Sequence, residues 1–217
     1  MTEPTAAKPA GAFAPLAERA FLVLWLATVV ANTGTWMRDT ASGWLMTTLA
    51  PSAAMVSLVQ AATTLPIFLL ALPAGALADI VDRRKLMIVI QIGLALVTAA
   101  LWLSTRFALM TPSLLLLLTL LGGIGAALSA PAWQTIVPEL VSRPMIRPAV
   151  ALNSLGVNIS RAIGPAVGGL LIATTGIAAA YLADLLSYAL IIGALLWWKR
   201  APRIAKNPEQ MLGAMRS

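Results

Sequence analysis

The chain has 217 residues, of which 59% are hydrophobic and 11% are charged, compared with about 25% charged residues in soluble domains. Its mean hydropathy of +0.87 predicts an integral membrane protein. Cysteine and histidine are both absent, which excludes disulfides, thiolate clusters, the common zinc and haem ligands and any Ser–His catalytic pair. The composition therefore argues against an enzyme, a metal site or another cofactor, and it suits a transporter or a channel.

Apolar runs of about 20 residues are candidate transmembrane helices. The chain contains six such runs, at residues 21–49, 53–78, 86–105, 112–136, 148–174 and 178–198. The runs are continuous, so they do not predict the alternating strands of a membrane barrel. The first run contains Arg38 and Asp39; it is interpreted as one long helix, because the apolar pattern resumes at Trp44, and a span that ends near Gly34 is the alternative. The predicted fold class is an all-α integral membrane protein with six transmembrane helices.

The distribution of basic residues predicts the orientation in the membrane. Residues 1–19 are interpreted as a disordered cytoplasmic tail, residues 20–198 as the transmembrane domain and residues 199–217 as a basic cytoplasmic tail or the start of a linker. Twelve of the fifteen basic residues lie on the side that holds both termini, and Arg106 lies on the other side. Cytoplasmic loops are enriched in Lys and Arg, so both termini are predicted to be cytoplasmic, in the cell (inner or plasma) membrane. Because the basic residues are scattered over short loops beside anionic headgroups, a nucleic-acid partner is not expected.

The loop between the second and third runs reads GALADIVDRRK, from residue 75 to residue 85. Gly75 is expected to allow a neighbouring helix to approach closely. Asp79 lies at the membrane edge, where a carboxylate can meet a helix N-terminus. The three basic residues at 83–85 are expected to anchor the loop to the cytoplasmic face.

This loop resembles the G-x-L-A-D-x-x-G-R-[RK] signature of the major facilitator superfamily. The matching positions are Gly75, Leu77, Asp79, Arg83 and Arg84. Asp82 stands where the family usually has its second glycine; the turn can still form, since Asp tolerates unusual turn dihedrals better than most residues. The resemblance implies a transporter fold in which each six-helix half contains two inverted three-helix repeats.

Small residues recur every four positions along one face of the fifth run: Gly156, Ser160, Gly164 and Gly168. Such a stripe lets two helices pack backbone to backbone in lipid, and Pro165 permits a bend. The segment from Gly164 to Gly169 resembles the G-P-x-x-G-G element of the fifth helix in exporter branches of the superfamily. That resemblance implies a seam whose bending controls leak and direction of transport, and whose partner lies in a second half. A static packing seam is the structural alternative.

Further segments resemble the branch that contains the bacterial enterobactin exporter and related efflux proteins, and the resemblance covers about residues 20–200. These segments include Asn32-Thr33-Gly34 and Asn158-Ile159-Ser160-Arg161. Many drug/proton antiporters carry an arginine in the fourth helix at the position of Thr119, so a role attached to that arginine is not implied here.

Four charged residues fall within the predicted spans, where they need polar partners: Arg38, Asp39, Arg161 and Asp184. Arg161 is expected to be buried beside Asp39 or Asp184, with Asp39 favoured, in a charge network that reorganises during transport. Asp39 is the predicted proton site, and a static buried ion pair is the alternative, favoured for Asp184. Asn32 and Asn158 are predicted to add polar positions along the pathway.

The predicted function is secondary-active efflux of small amphipathic solutes, drug-like or siderophore-like, by alternating access. The chain resembles the N-terminal half of a truncated or split transporter. Its expected partners are the lipid bilayer, a small-molecule substrate, and a second six-helix half or a second copy of the chain. The alternatives are a non-transporting six-helix scaffold or remnant, and a channel, although a channel would need a selectivity element such as a ring of acids.

Overall fold

The computed structural model describes residues 11–199, apart from the side chain of Asp79. The long helices are α1 (Arg19–Leu49), α2 (Ala53–Ile80), α3 (Arg83–Arg106), α4 (Pro112–Ile136), α5 (Ile146–Thr175) and α6 (Ile177–Trp197). All six are long and apolar enough to cross a membrane. Their ends lie within three residues of the predicted runs. The all-α, six-helix membrane fold is therefore confirmed, and α1 is one unbroken helix, as interpreted from its sequence.

Short turns join the helices, and local chemistry explains where the helices begin and end. Asp82 caps α3 by accepting a hydrogen bond from the Lys85 amide at 2.9 Å. Its φ of −63° and ψ of 112° are ordinary for a capping residue, so glycine is not required there. Gly176 alone separates α5 from α6, with φ of +96°. Residues with a side chain rarely adopt this backbone conformation, so a glycine at this position allows the one-residue turn.

Helix α1 has a central position in the bundle, where it contacts α2, α4, α5 and α6. Helix α3 contacts α4 and α6, and α2 packs mainly on α4. One end of the bundle, here called the basic end, carries the starts of α1, α3 and α5. Its described basic residues are Arg19, Arg83, Arg84, Lys85, Arg143, Arg147 and Lys199.

Two apolar clusters form the core, one nearer each end of the bundle. On α1, the first cluster takes residues from Phe21 to Ala31 and the second takes residues from Ala41 to Met46. The same division occurs on α6, where Tyr181 belongs to one cluster and Tyr188 to the other. The stretch between the clusters therefore places a layer of polar side chains near the middle of the bundle.

Helix α5 packs on α1 through the predicted stripe of small residues. A Cβ atom on Gly168 would lie 3.0 Å from the Met37 Cα, and one on Gly164 would collide with the Trp36 side chain. The Ser160 hydroxyl donates to the Val29 carbonyl at 2.9 Å. The stripe therefore forms the predicted close seam. Its partner is α1 of the same chain, so the expectation of a partner from a second half is wrong for these residues.

Two other expectations need correction. A Cβ atom on Gly75 would have no neighbour within 4 Å, so Gly75 does not mediate close helix packing among the described residues. The tail predicted to be disordered contains a short 3-10 helix at Ala14–Ala17, because Pro15 is buried and Leu16 packs against the apolar core. The remainder of the two predicted tails, residues 1–10 and 200–217, lies outside the described residues.

The seam predicts that two adjacent glycines respond differently to the same substitution. Gly168→Leu should destabilise the protein by about 2 kcal/mol, because the new side chain would force α5 away from α1. Gly169→Leu is the matched control, since a Cβ atom there meets nothing within 4 Å. Thermal unfolding of the purified chain in detergent measures both. Equal melting temperatures for the two variants would contradict the packing.

Candidate transport site

The polar layer is organised around Arg38, whose side chain is 4% exposed. Its Nη1 donates to the Tyr188 hydroxyl at 2.9 Å and to Asp184 Oδ2 at 3.5 Å. Its Nη2 and Nε donate to Asp39 Oδ1 at 3.2 and 3.3 Å. A guanidinium remains charged in proteins, so burial requires this set of acceptors. The contacts tie α1 to α6 near the middle of the membrane.

Asp184 enters this layer from α6 and is fully buried. Thr98 of α3 donates its hydroxyl proton to Asp184 Oδ2 at 3.0 Å. Asp184 Oδ1 receives no hydrogen bond from the described part of the chain. A Cβ atom on residue 34 would lie 2.7 Å from this oxygen, so Gly34 allows the carboxyl group to approach α1. We call Arg38, Asp39 and Asp184 the charge cluster.

A cavity of about 290 Å³ lies between the charge cluster and the basic end. It is bounded by α1, α3, α4, α5 and α6, and both Arg38 and Tyr188 are among its walls. Its walls include four side-chain amides, from Asn32, Gln91, Gln134 and Asn153, and the indoles of Trp36 and Trp133. Apolar walls with a few placed polar groups are typical of small-molecule sites.

Among these amides, Gln91 has a buried Oε1 atom that finds no donor in the part of the chain that the structure describes. Asn153 differs, because its Oδ1 accepts a hydrogen bond from Trp133 Nε1 at 2.6 Å. Because Gln91 lines the cavity, a rotation of its side chain would bring this unpaired acceptor to a solute with an N–H or O–H group.

The structure brings together three of the four charged residues that the sequence identified. Arg38, Asp39 and Asp184 meet, and Asn32 lines the adjacent cavity. Arg161 does not join them: it is exposed, and its guanidinium lies 5.3 Å from the ring centre of Trp36.

The predicted pairing of Arg161 with an acid is therefore wrong for the described residues. Helix α5 turns its small face, including Ser160, toward α1, and one further residue rotates the side chain by about 100° around the helix. Arg161 and Asn158 consequently lie on the exposed side, where the Asn158 amide donates to the Ser154 carbonyl. Arg38 takes the place expected of Arg161.

Sequence reasoning did not identify Thr98, Tyr188 or Gln91 as site residues. Asp184 and Tyr188 are four residues apart on α6, so helical spacing alone places them on one face. That spacing from an acid inside a span was a usable signal for Tyr188. Gln91 and Thr98 lie seven residues apart on α3, which places them on one face of that helix, but the sequence does not show which helix this face meets.

The signature loop lies at the basic end and binds neighbouring helices. Arg83 Nη1 donates to Glu139 Oε1 at 2.9 Å. Arg84 donates to the carbonyls of Leu195 and Leu196, at 2.7 and 2.8 Å, and so caps the C-terminus of α6. Asp79 lies in the last turn of α2, and its side chain is outside the described part of the structure.

Comparison with known proteins gives consistent matches. A family model described as transmembrane secretion effector matches residues 10–217. The staphyloferrin A transporter of Staphylococcus aureus is 31% identical over 177 residues, which cover 81% of this chain and 44% of the relative. The multidrug efflux pump Tap of Mycolicibacterium fortuitum is 29% identical over 160 residues, covering 71% of this chain and 39% of that protein.

Two further matches concern a shorter segment and the fold. The enterobactin exporter EntS of Shigella boydii is 37% identical over 106 residues, covering 48% of this chain and 25% of the exporter. The crystal structure of a bacterial homologue of the human lysosomal transporter Spinster, in an inward-facing and unoccupied conformation, superposes with a TM-score of 0.68 at 16% identity. This superposition covers 91% of this chain and 48% of the homologue. The chain spans less than half the length of these relatives.

The two arginines inside the membrane should differ sharply in their contribution to stability. Arg38→Gln should lower the free energy of unfolding by about 3 kcal/mol, because it removes the cation from a buried ion pair. Arg161→Gln should change the free energy of unfolding by no more than about 1 kcal/mol, since the described contact of Arg161 is an exposed one with Trp36. Unfolding of the purified variants, followed by circular dichroism, compares them. A larger loss for Arg161→Gln would contradict the assignment.

Proposed function

We propose a function from one premise: the chain belongs to the family of transmembrane secretion effectors within the major facilitator superfamily. It is accordingly a multi-pass membrane protein of a transporter family. The relatives whose names state an activity are transporters, exporters and efflux pumps. This agrees with the composition of the chain, which argues against an enzyme.

Our proposal is secondary-active efflux of small amphipathic solutes, drug-like or siderophore-like, by alternating access. The observation that carries it is the cavity beside the charge cluster, which combines apolar walls, two indoles and side-chain amides. The names of the relatives favour the same classes of solute, since they include a siderophore transporter, a multidrug pump and a siderophore exporter.

We further propose that these six helices work together with a second six-helix unit. Arg161 supports this idea, because it lies well inside α5 and is exposed in the isolated chain. A charged side chain facing lipid at that depth is costly, so protein or a water-filled pathway should cover it. A second half of a transporter is favoured over a second copy of this chain as the covering unit, because the superfamily fold pairs two unlike halves.

The proposed orientation places the basic end in the cytoplasm, in the cell (inner or plasma) membrane. Support comes from the described basic residues of that end, while Arg106 stands at the opposite end. In this orientation the cavity lies on the cytoplasmic side of the charge cluster, where a solute destined for export would enter.

Efflux measured in a bacterial strain that lacks its major exporters tests the transport proposal. The chain is expressed alone and together with a C-terminal six-helix half of a related exporter, at matched membrane levels, and accumulation of a lipophilic dye and of a siderophore is followed. Energy-dependent loss of either solute from the cells supports efflux. Unchanged accumulation in both arms favours the alternative of a non-transporting scaffold.

The cavity predicts a selective effect of one buried glutamine. Gln91→Leu should weaken apparent solute affinity by up to about tenfold, the equivalent of one lost hydrogen bond. Its thermal stability should be kept, since the substitution removes an unpaired buried oxygen. Gln60→Leu is the matched control, because Gln60 is exposed on α2 and does not line the cavity. Equal apparent solute affinities for the two variants in the efflux assay would argue against the cavity as the solute site.

A further inference from the structure

The charge cluster has an imbalance of charge. It contains one guanidinium and two carboxyl groups, so full ionisation leaves one negative charge in excess. A buried charge without a counter-ion is costly in an apolar interior, and proteins remove it by pairing or by protonation. The cluster therefore calls for one further positive charge.

The two acids differ in how well their charge is satisfied. Asp39 is 28% exposed, and its Oδ1 accepts from two nitrogens of the Arg38 guanidinium. Asp184 is 0% exposed, and its Oδ2 lies 3.5 Å from Arg38 Nη1, at the edge of hydrogen-bond distance. Asp184 Oδ1 has no partner among the described residues. The excess charge thus falls on Asp184.

The helices around Asp184 supply no further charged partner among the described residues. Helix α1 contributes Arg38 and Asp39, α3 contributes the neutral Thr98, and α4 contains no ionisable side chain. On α5, Arg161 faces outward against Trp36. On α6 itself, Tyr181 is hydrogen-bonded to Ser42 and Tyr188 accepts from Arg38.

We propose that Asp184 is a proton-binding site. A proton on its Oδ1 forms the neutral carboxylic acid and leaves Arg38 and Asp39 as a balanced ion pair. When the O–H bond breaks, the proton passes to water that enters from the cavity; Asp184 lies behind the cavity wall, next to Arg38, and does not line the cavity itself. The carboxylate that remains then competes with Asp39 for Arg38. This assignment places the proton on α6, whereas the sequence had favoured Asp39.

The coupling of proton binding at Asp184 to solute transport rests on the proposed efflux function, whereas proton binding itself does not. Movement of Arg38 toward Asp184 would tighten the contact between α1 and α6 and alter the floor of the cavity. A proton entering from the other side of the membrane would reverse that change. Asp184 would then link the proton gradient to the solute site.

Infrared difference spectroscopy tests proton binding directly. The full chain is reconstituted in lipid nanodiscs, and the carbonyl stretching band of protonated carboxylic acid is recorded as the pH is changed around neutrality. We expect the band in the wild type and its loss in Asp184→Asn. Asp39→Asn leaves one acid for one guanidinium, so its band should disappear at a lower pH than that of the wild type. Persistence of the band in Asp184→Asn, or an unchanged pH in Asp39→Asn, overturns the proposal, as does absence of the band from the wild type.

A second pair of variants keeps the test informative if Asp184→Asn does not fold. Thr98→Val removes the hydroxyl that donates to Asp184 Oδ2, so it should shift the pH at which the band disappears. Ser42→Ala removes a comparable contact to Tyr181 and should leave that pH unchanged. An identical pH in Thr98→Val and wild type overturns the assignment. No solute is needed, so failure of efflux and failure of proton binding are distinguished.

Discussion

A guanidinium that stays charged inside a membrane dictates much of what surrounds it. Arg38 lies between two apolar clusters and finds acceptors on its own helix and on α6, in Asp39, Asp184 and Tyr188. Because these contacts have direction, they fix the rotation of α1 relative to α6 more strictly than apolar packing in lipid can. Gly34 provides room for them, since an added Cβ atom would lie 2.7 Å from Asp184 Oδ1.

The position of α1 explains both the seam and the cavity. One side of α1 meets α6 through charged groups, and another meets α5 through small residues, with Gly164 and Gly168 against Trp36 and Met37. Two hydrogen bonds between α1 and α5 accompany this close approach, from Trp25 Nε1 to the Leu152 carbonyl at 2.9 Å and from the Ser160 hydroxyl to the Val29 carbonyl at 2.9 Å. The cavity lies where these two interfaces meet α3 and α4. A change in the charge cluster would therefore reach the cavity wall directly.

Sequence reasoning succeeded where a property depends on one helix and failed where it depends on two. Hydropathy located all six helices, since a span needs only length and apolar side chains, and a four-residue period identified the face of α5 that packs. The predicted pairing of Arg161 was wrong because a helical period identifies one face of a helix but not the helix that packs against it. Arg161 follows Ser160 and lies on a different face of α5. Arg38, which is next to Asp39 in the sequence, pairs with that acid instead. Thr98 joins the layer through a contact between helices, which no single-helix pattern contains, whereas the spacing of Tyr188 from Asp184 was a signal that went unused.

The most direct test of whether Arg38 organises the polar layer is a double-mutant cycle across the contact between α1 and α6. Arg38→Met, Asp184→Leu and the double variant are unfolded reversibly in mixed micelles, and their free energies of unfolding are compared with the wild type. If Arg38 organises the layer, the double variant should lose at least about 1 kcal/mol less than the sum of the single losses. Additivity to within about 0.5 kcal/mol would show that the two residues act independently and would contradict the account.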